Sequence, residues 1–113
     1  MKVQFPDTLY SNTFIALNIT LQNSGLSIWN ANEDNPIHLS YHWIQNNQTV
    51  IFDGERTPLP ENVKPRKIID TQVIVKTPEK EGNYTLILDV LKEGNFWFEQ
   101  EGVKTYEKNI QIV

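Results

Sequence analysis

Residues 37–60 read IHLSYHWIQNNQTVIFDGERTPLP, and this stretch decides the fold. Its first part alternates between apolar or aromatic residues on one face and mostly polar residues on the other: Ile37, Leu39, Tyr41 and Trp43 against His38, Ser40, His42 and Ile44. Such period-two alternation predicts a half-buried β-strand. We expect the face with Trp43 to join the core and the face with the histidines to be wet. A functional site should therefore lie on the histidine face or at its rim.

The sequence on both sides of this strand predicts further strands and turns. Asparagine tolerates the positive φ that tight hairpins demand, so Asn-Asn-Gln at residues 46–48 predicts a hairpin turn. Three prolines in residues 57–65 predict an extended connection and exclude a central strand there. Leu26, Ile28 and Trp29 show no clear alternation and are expected to plug one end of the core. Short or alternating apolar runs predict strands at Val3–Phe5, Thr13–Gln22, Thr49–Phe52, Ile69–Lys76, Tyr84–Val90 and Tyr106–Ile112.

Seven or eight short strands at regular spacing, with no helical period in any segment, predict an all-β fold: an immunoglobulin-like antiparallel β-sandwich. Trp43 on an interior strand fits this fold. The Glu-Gly-Asn-Tyr step at Glu81–Tyr84 fits it too, because it resembles the tyrosine corner at the start of a late strand. The chain has no cysteine, so it lacks the disulfide of antibody domains. Residues 1–113 are predicted to form a single domain, a module of a larger protein.

Composition and charge exclude several classes of function. The net charge is -4 with both signs interspersed, and phosphate binding needs a basic stripe, so no nucleic-acid partner is expected. No apolar run approaches the roughly 20 residues that span a bilayer, which argues against membrane insertion. Without cysteine there is no thiol catalysis and no Cys-ligated zinc. The N-terminal residues lack the apolar core of a signal peptide, and the compartment stays open between the cytoplasm and, through the parent protein, the cell envelope.

Four segments are together similar to a known type of domain: HLSYHW at 38–43, FDGERTPLP at 52–60, TPEKEGNYTL at 77–86 and DVLKEGNFWF at 89–98. They resemble an immunoglobulin-like accessory domain attached to bacterial glycosyltransferases, methyltransferases and other cell-surface polysaccharide enzymes. More distantly, the pattern is similar to the four-tryptophan domain of autophagy receptors. The resemblance covers roughly residues 17–113, with Lys64-Pro65-Arg66 where the pattern usually has Pro-Gly. It implies a non-catalytic module in a glycan-related protein.

A polar cluster is predicted beside the histidine strand. Asp53, Glu55 and Arg56 are compressed into the turn that follows the hairpin. Together with His42 and Asp89 on the same outer face, they are candidates for hydrogen bonds to a hydroxyl-rich ligand, because a guanidinium and carboxylates suit sugar hydroxyls. The alternative is an ion-pair network that pins the turn, since structural ion pairs also gather around turns.

The aromatic run Phe96-Trp97-Phe98 alternates across its strand, so Trp97 and the two phenylalanines face opposite sides. If the phenylalanines point inward, an exposed indole at Trp97 can stack on a sugar or anchor a partner protein. If Trp97 points inward, it belongs to the core. Trp29 and Trp43 are assigned to packing.

No metal site, cofactor or catalytic centre is predicted. His38 and His42 lie about 13 Å apart along a regular strand, which is far for two imidazoles to share a metal ion, and no third ligand is fixed by spacing. No serine stands in a Gly-x-Ser-x-Gly setting, and there is no glycine-rich phosphate loop. We therefore expect that the domain is not an enzyme.

Two hypotheses for the function follow. The first is an accessory module that binds an oligosaccharide or polysaccharide, with Trp97 stacking and polar contacts from His42, Asp53, Arg56 and Asp89. The second is a structural or protein-interaction module that docks onto a domain of its parent chain or onto a partner protein. An exposed Trp97 in a polar surround favours the first. A contiguous apolar patch on an outer face that includes Ile44, Ile74 or Ile87 favours the second.

Overall fold

The computed structural model describes residues 2–4, 7–32, 35–52, 54–94, 96–97 and 106–113, with the backbone alone at residues 2, 4, 96 and 97. No helix occurs in these ranges, and so none that could cross a membrane. The described residues form ten strands: β1 (Lys2–Gln4), β2 (Thr8–Leu9), β3 (Phe14–Gln22), β4 (Ile37–Gln45), β5 (Gln48–Ile51), β6 (Thr57–Pro58), β7 (Ile68–Lys76), β8 (Gly82–Lys92), β9 (Phe96–Trp97) and β10 (Tyr106–Ile112).

The strands form two sheets. The smaller sheet has the order β1-β3-β7, and the larger has the order β2-β10-β8-β4-β5, with β6 also paired to β4 and β9 to β8. Only β2 and β10 pair in parallel among the described strands. Next to that pair, Lys108 Nζ lies 2.7 Å from Asp7 Oδ1, and this hydrogen bond raises the pKa of the Lys108 amine. The predicted immunoglobulin-like sandwich is confirmed, with seven strands longer than two residues: β1, β3, β4, β5, β7, β8 and β10.

The core lies between the two sheets and contains Trp43, as predicted. Trp43 is fully buried, and its indole N–H donates to the carbonyl of Lys76 on the opposite sheet at 3.0 Å. The ring of Tyr84 meets the indole edge-on, with 6.0 Å between ring centroids. The Tyr84 hydroxyl donates to the carbonyl of Lys80 at 2.8 Å, which confirms the tyrosine corner. These bonds tie the two sheets and the β7–β8 turn to one aromatic pair.

The hairpin between β4 and β5 has the predicted turn. Asn46 and Asn47 both have positive φ, 52° and 62°, as a two-residue type I′ turn requires. The ladder continues from the Gln45–Gln48 pair and shifts register between Trp43 and Ile44.

One end of the core differs from the prediction. Leu26 is 98% exposed and Ile28 is also exposed, so the expectation that they plug the core is wrong, whereas Trp29 packs against it. Val63, from the proline-rich connection, is fully buried and exchanges backbone hydrogen bonds of 2.9 and 3.0 Å with Trp29. The side chain that closes this end therefore comes from a segment whose sequence indicates only an extended connection.

Candidate functional site

A short segment after β5 folds back over the outer face of β4; we call its residues Phe52 and Gly54–Arg56 the strap. The amide of Gly54 donates to the carbonyl of Tyr41 at 3.2 Å. The Ser40 hydroxyl lies 3.0 Å from the carbonyl oxygens of both Gly54 and Glu55, so its single proton is shared between them. Asp53 lies outside the described residues. The strap is thus held by hydrogen bonds to the middle of β4.

Beneath the strap, His42 and Asp89 form a buried pair. The His42 Nε2 atom lies 2.9 Å from Asp89 Oδ2, and each residue is 1% exposed. The His42 Nδ1–H donates to the carbonyl of Phe52, and the imidazole stacks on the Phe52 ring with 4.6 Å between centroids and 14° between planes. The second carboxylate oxygen, Asp89 Oδ1, accepts from the amide of Val90 at 2.7 Å. The pair therefore anchors the Phe52 end of the strap to β4 and β8.

The partners of His42 fix where its protons lie. A carbonyl oxygen only accepts, so Nδ1 carries a hydrogen, and one further proton lies between Nε2 and the Asp89 carboxylate. Whether that proton is on the imidazole or on the carboxyl group, His42 and Asp89 together carry no net charge. This neutrality lowers the penalty for burying two ionisable groups in one place.

The expectation that the histidine face is wet is wrong at its centre. Ser40, His42 and Asp89 are buried because the strap covers the middle of β4. The hydrogen-bond partners of Ser40 and His42 lie within the fold, in the strap itself. The structure brings His42, Arg56 and Asp89 to the same outer face, as predicted, but only Arg56 reaches solvent. Trp97 is described in its backbone alone, in β9 and paired with Leu91 of β8.

The edge of the strap carries a partly exposed polar row. The Arg56 Nε lies 3.2 Å from both carboxylate oxygens of Glu93, and Arg56 Nη1 donates to the carbonyl of Gly54 at 2.7 Å. His38 Nδ1 lies 2.9 Å from Glu93 Oε2. The side chains of Arg56, Glu93 and His38 are 29%, 28% and 19% exposed. Arg56 is the member of the predicted polar cluster that lies in this row, and its partner Glu93 is not among the residues selected from the sequence.

No metal centre is visible in the part of the chain that the structure describes. Its His, Asp and Glu side chains include no group of three or more that is placed to hold a metal ion.

The outer face of the smaller sheet has an apolar end. Phe14 is 61% exposed and Ile74 is 39% exposed; Ala16, also exposed, lies directly opposite Ile74 in the ladder. Lys76 Nζ lies 5.6 Å from the centroid of the Phe14 ring. Of the three marker residues for an apolar patch, Ile74 is exposed, Ile44 is half-buried and Ile87 is buried.

The middle of that outer face is polar, and Ile68, which is 60% exposed, lies at its far end opposite Gln22. The polar side chains pair across the strands, Thr20 with Asp70 at 2.6 Å and Gln72 with Asn18 at 2.9 Å. The apolar strip of Phe14, Ala16 and Ile74 is therefore followed along the strands by a hydrogen-bonded polar stretch.

Gly54 allows the strap to lie close to β4, which gives a direct test of the strap. A Cβ atom at this position would lie 2.6 Å from the Tyr41 carbonyl oxygen and 2.8 Å from the Tyr41 ring. We expect Gly54→Ala to lower the free energy of unfolding by about 2 kcal/mol, because the strap must lift from the strand. Urea denaturation measures this, with the exposed neighbouring change Glu55→Ala expected within about 0.5 kcal/mol of the parent chain. Equal stability of the two variants would contradict the close contact.

Comparisons with known proteins establish the fold. No protein-family model and no curated protein matches the sequence. The chain is similar to the CARDB domain of a Pyrococcus furiosus protein, solved by NMR, with a TM-score of 0.55 and 14% identity over 98% of this chain and 90% of that one. A family 123 glycoside hydrolase from Clostridium perfringens aligns over 93% of this chain and 22% of its own, with 15% identity and a TM-score of 0.43, which is too low to support an argument.

Proposed function

We propose that this domain is a non-catalytic accessory module that docks onto a protein surface through the apolar strip of Phe14, Ala16 and Ile74. The observation that carries the proposal is the exposure of Phe14 and Ile74 at one end of the same sheet face, with the exposed Ala16 directly opposite Ile74. Single exposed hydrophobic residues are ordinary, but neighbouring ones grouped beside a polar surface are typical of interaction sites. Ile74 is one of the residues whose exposure distinguishes docking from sugar binding.

The polar candidates support a non-catalytic role. His42 and Asp89 are the most catalysis-like pair in the described residues, but they are 1% exposed and hold the strap. A general base must come within hydrogen-bond reach of a substrate, and this imidazole is 1% exposed beneath the strap. The pair accordingly anchors Phe52 at the start of the strap.

Site-specific photo-crosslinking in the complete parent protein, in its own cells, tests the docking proposal. A benzophenone amino acid replaces Phe14, and the matched control carries it at Glu107, which is exposed on the larger sheet. We expect a defined adduct from position 14 and none from position 107. An adduct with another domain of the same chain is identified by peptide mapping, and one with a partner by its mass.

A second substitution decides whether the strip itself makes the contact. Ala16→Glu places a charge in the centre of the strip and is expected to abolish the adduct at position 14, because an unpaired carboxylate is costly to desolvate. An adduct that persists with Ala16→Glu, or equal adducts at positions 14 and 107, would contradict docking through this face.

Carbohydrate binding is the second candidate function. The observation that favours it is the partly exposed row of Arg56, Glu93 and His38 at the edge of the strap. It lies on the larger sheet, on the other side of the sandwich from the apolar strip. The two candidate functions therefore use different surfaces and can be tested separately.

A further inference from the structure

We propose that Phe52, Arg56, Glu93 and His38 form a binding row for a neutral saccharide along the outer face of β4. This rests on the second candidate function, carbohydrate binding, and specifies its ligand and its residues; it shares no residue with the apolar strip. Of these four residues, only Arg56 belongs to the polar contacts predicted from the sequence. His42 and Asp89, which the sequence suggested as ligand contacts, are buried, so this proposal assigns that role to residues that reach solvent at the edge of the strap.

Strand β4 positions the residues of the row. Phe52 stacks on His42, Arg56 Nη1 lies 3.4 Å from the Ser40 hydroxyl, and Glu93 lies 2.9 Å from the ring of His38. His38 and His42 are four residues apart on one strand, so the row is about 13 Å long. Arg56 and Glu93 are in contact at 3.2 Å beside His38, and Phe52 lies over His42. A ligand extended over two or three ring units fits this length.

The row is rigid because each member is bonded to the sandwich. Arg56 is tied to the Gly54 carbonyl and to both oxygens of Glu93, and Phe52 is fixed by its carbonyl and its ring to His42. Little side-chain entropy remains to be lost on binding, which favours affinity for a small ligand.

The charges select a neutral, hydroxyl-rich ligand. Arg56 and Glu93 offset each other at 3.2 Å, so an anion would have to displace Glu93 and a cation would have to displace Arg56. A sugar hydroxyl both donates and accepts, so it can hydrogen-bond to the Glu93 carboxylate and to the Arg56 guanidinium without separating them. Phe52, 41% exposed, supplies aromatic surface for the apolar face of a sugar ring. An apolar peptide would leave the polar groups of the row desolvated and unpaired.

The experiment is an NMR titration of the whole chain with maltotriose, cellotriose, mannotriose, xylotriose and chitotriose at millimolar concentrations. We expect at least one trisaccharide to give saturable shifts at the Phe52 ring, the Arg56 Nε–H and the His38 ring. The affinity should be in the millimolar range, since an open sheet face buries little of a ligand.

Variants locate the site. Glu93→Gln keeps the shape but removes the charge, and it is expected to weaken binding about tenfold, as for loss of a charge-assisted hydrogen bond. Phe52→Leu should weaken it too and serves as the readout if Glu93→Gln does not fold. The control Phe14→Ser, on the other sheet, should bind as the parent chain does.

Three results would overturn the proposal: no shift with any of these trisaccharides, unchanged binding in both Glu93→Gln and Phe52→Leu, or tighter binding of glucuronate or sulfate than of the neutral sugars. Each leaves the docking proposal untouched, because that one is decided by adducts at position 14.

Discussion

Asp89→Ala is expected to lower the free energy of unfolding by about 3–5 kcal/mol, because it removes one partner of a buried pair. The substitution leaves His42 Nε2 facing an apolar methyl group in a site that is closed to water, and it removes the carboxylate oxygen that accepts from the amide of Val90. Urea denaturation gives the stability. Hydrogen exchange at the Gly54 amide, which bonds to Tyr41, reports whether the strap loosens with it.

Two further variants distinguish the loss of the hydrogen bonds between His42 and Asp89 from the loss of a carboxylate charge. Asp89→Asn can still accept from Val90 and can donate to Nε2 of a neutral imidazole, so we expect a loss of only about 1 kcal/mol. Asp70→Ala removes an exposed carboxylate that bonds to Thr20, and it should also cost no more than about 1 kcal/mol. If Asp89→Asn were as damaging as Asp89→Ala, the assignment of the shared proton would be wrong. If Asp89→Ala cost no more than Asp70→Ala, the pair would not anchor the strap.

The strands and turns that could be predicted from the sequence are those with local signals. The alternation of apolar and polar residues in β4 predicts that the face with Trp43 points inward. The positive φ of Asn46 and Asn47 follows from the tolerance of asparagine for that conformation. The Tyr84 hydroxyl reaches the Lys80 carbonyl only four residues away. In each case the residues that cause the structure lie within a few positions of one another, so a single window of sequence contains the physical reason.

The strap could not be predicted because its contacts are not local. Ser40 bonds to carbonyl groups 14 and 15 positions away, and His42 bonds to Asp89 across 47 positions. Alternation alone marks Ser40 and His42 as solvent-facing polar residues, and nothing in residues 37–44 states that a later segment covers them. Glu93 was missed for the same reason, since its partner Arg56 is 37 positions away.

The wrong prediction at the end of the core has a related cause. Leu26 was expected inside because it is apolar, but hydrophobicity ranks residues only by average burial, and this leucine is 98% exposed. The loop that carries it is shaped instead by Asn23, whose place in the sequence Asn23-Ser24-Gly25 indicates only an ordinary turn.

Asn23 is fully buried and every polar group on its side chain is used. Its Nδ2 donates to the carbonyls of Ser27 at 2.8 Å and Val63 at 2.9 Å, while Oδ1 accepts from the Gly25 amide at 3.0 Å. Its backbone amide and carbonyl bond to Lys67 and Arg66. The side chain of Asn23 therefore joins the loop after β3 to the buried backbone at Val63, and its backbone joins the same loop to the residues just before β7.

Asn23→Asp is consequently expected to cost about 3–5 kcal/mol, although it changes a single NH₂ group into an oxygen. The carboxylate would face two carbonyl oxygens that need a donor, in a position with no access to water. Urea denaturation measures the loss, and Ser24→Asp is the matched control, because it adds the same charge one residue away at an exposed position and should stay within about 0.5 kcal/mol of the parent chain. Comparable stability of Asn23→Asp and Ser24→Asp would mean that net charge, and not the lost donor, decides how this end of the sandwich closes.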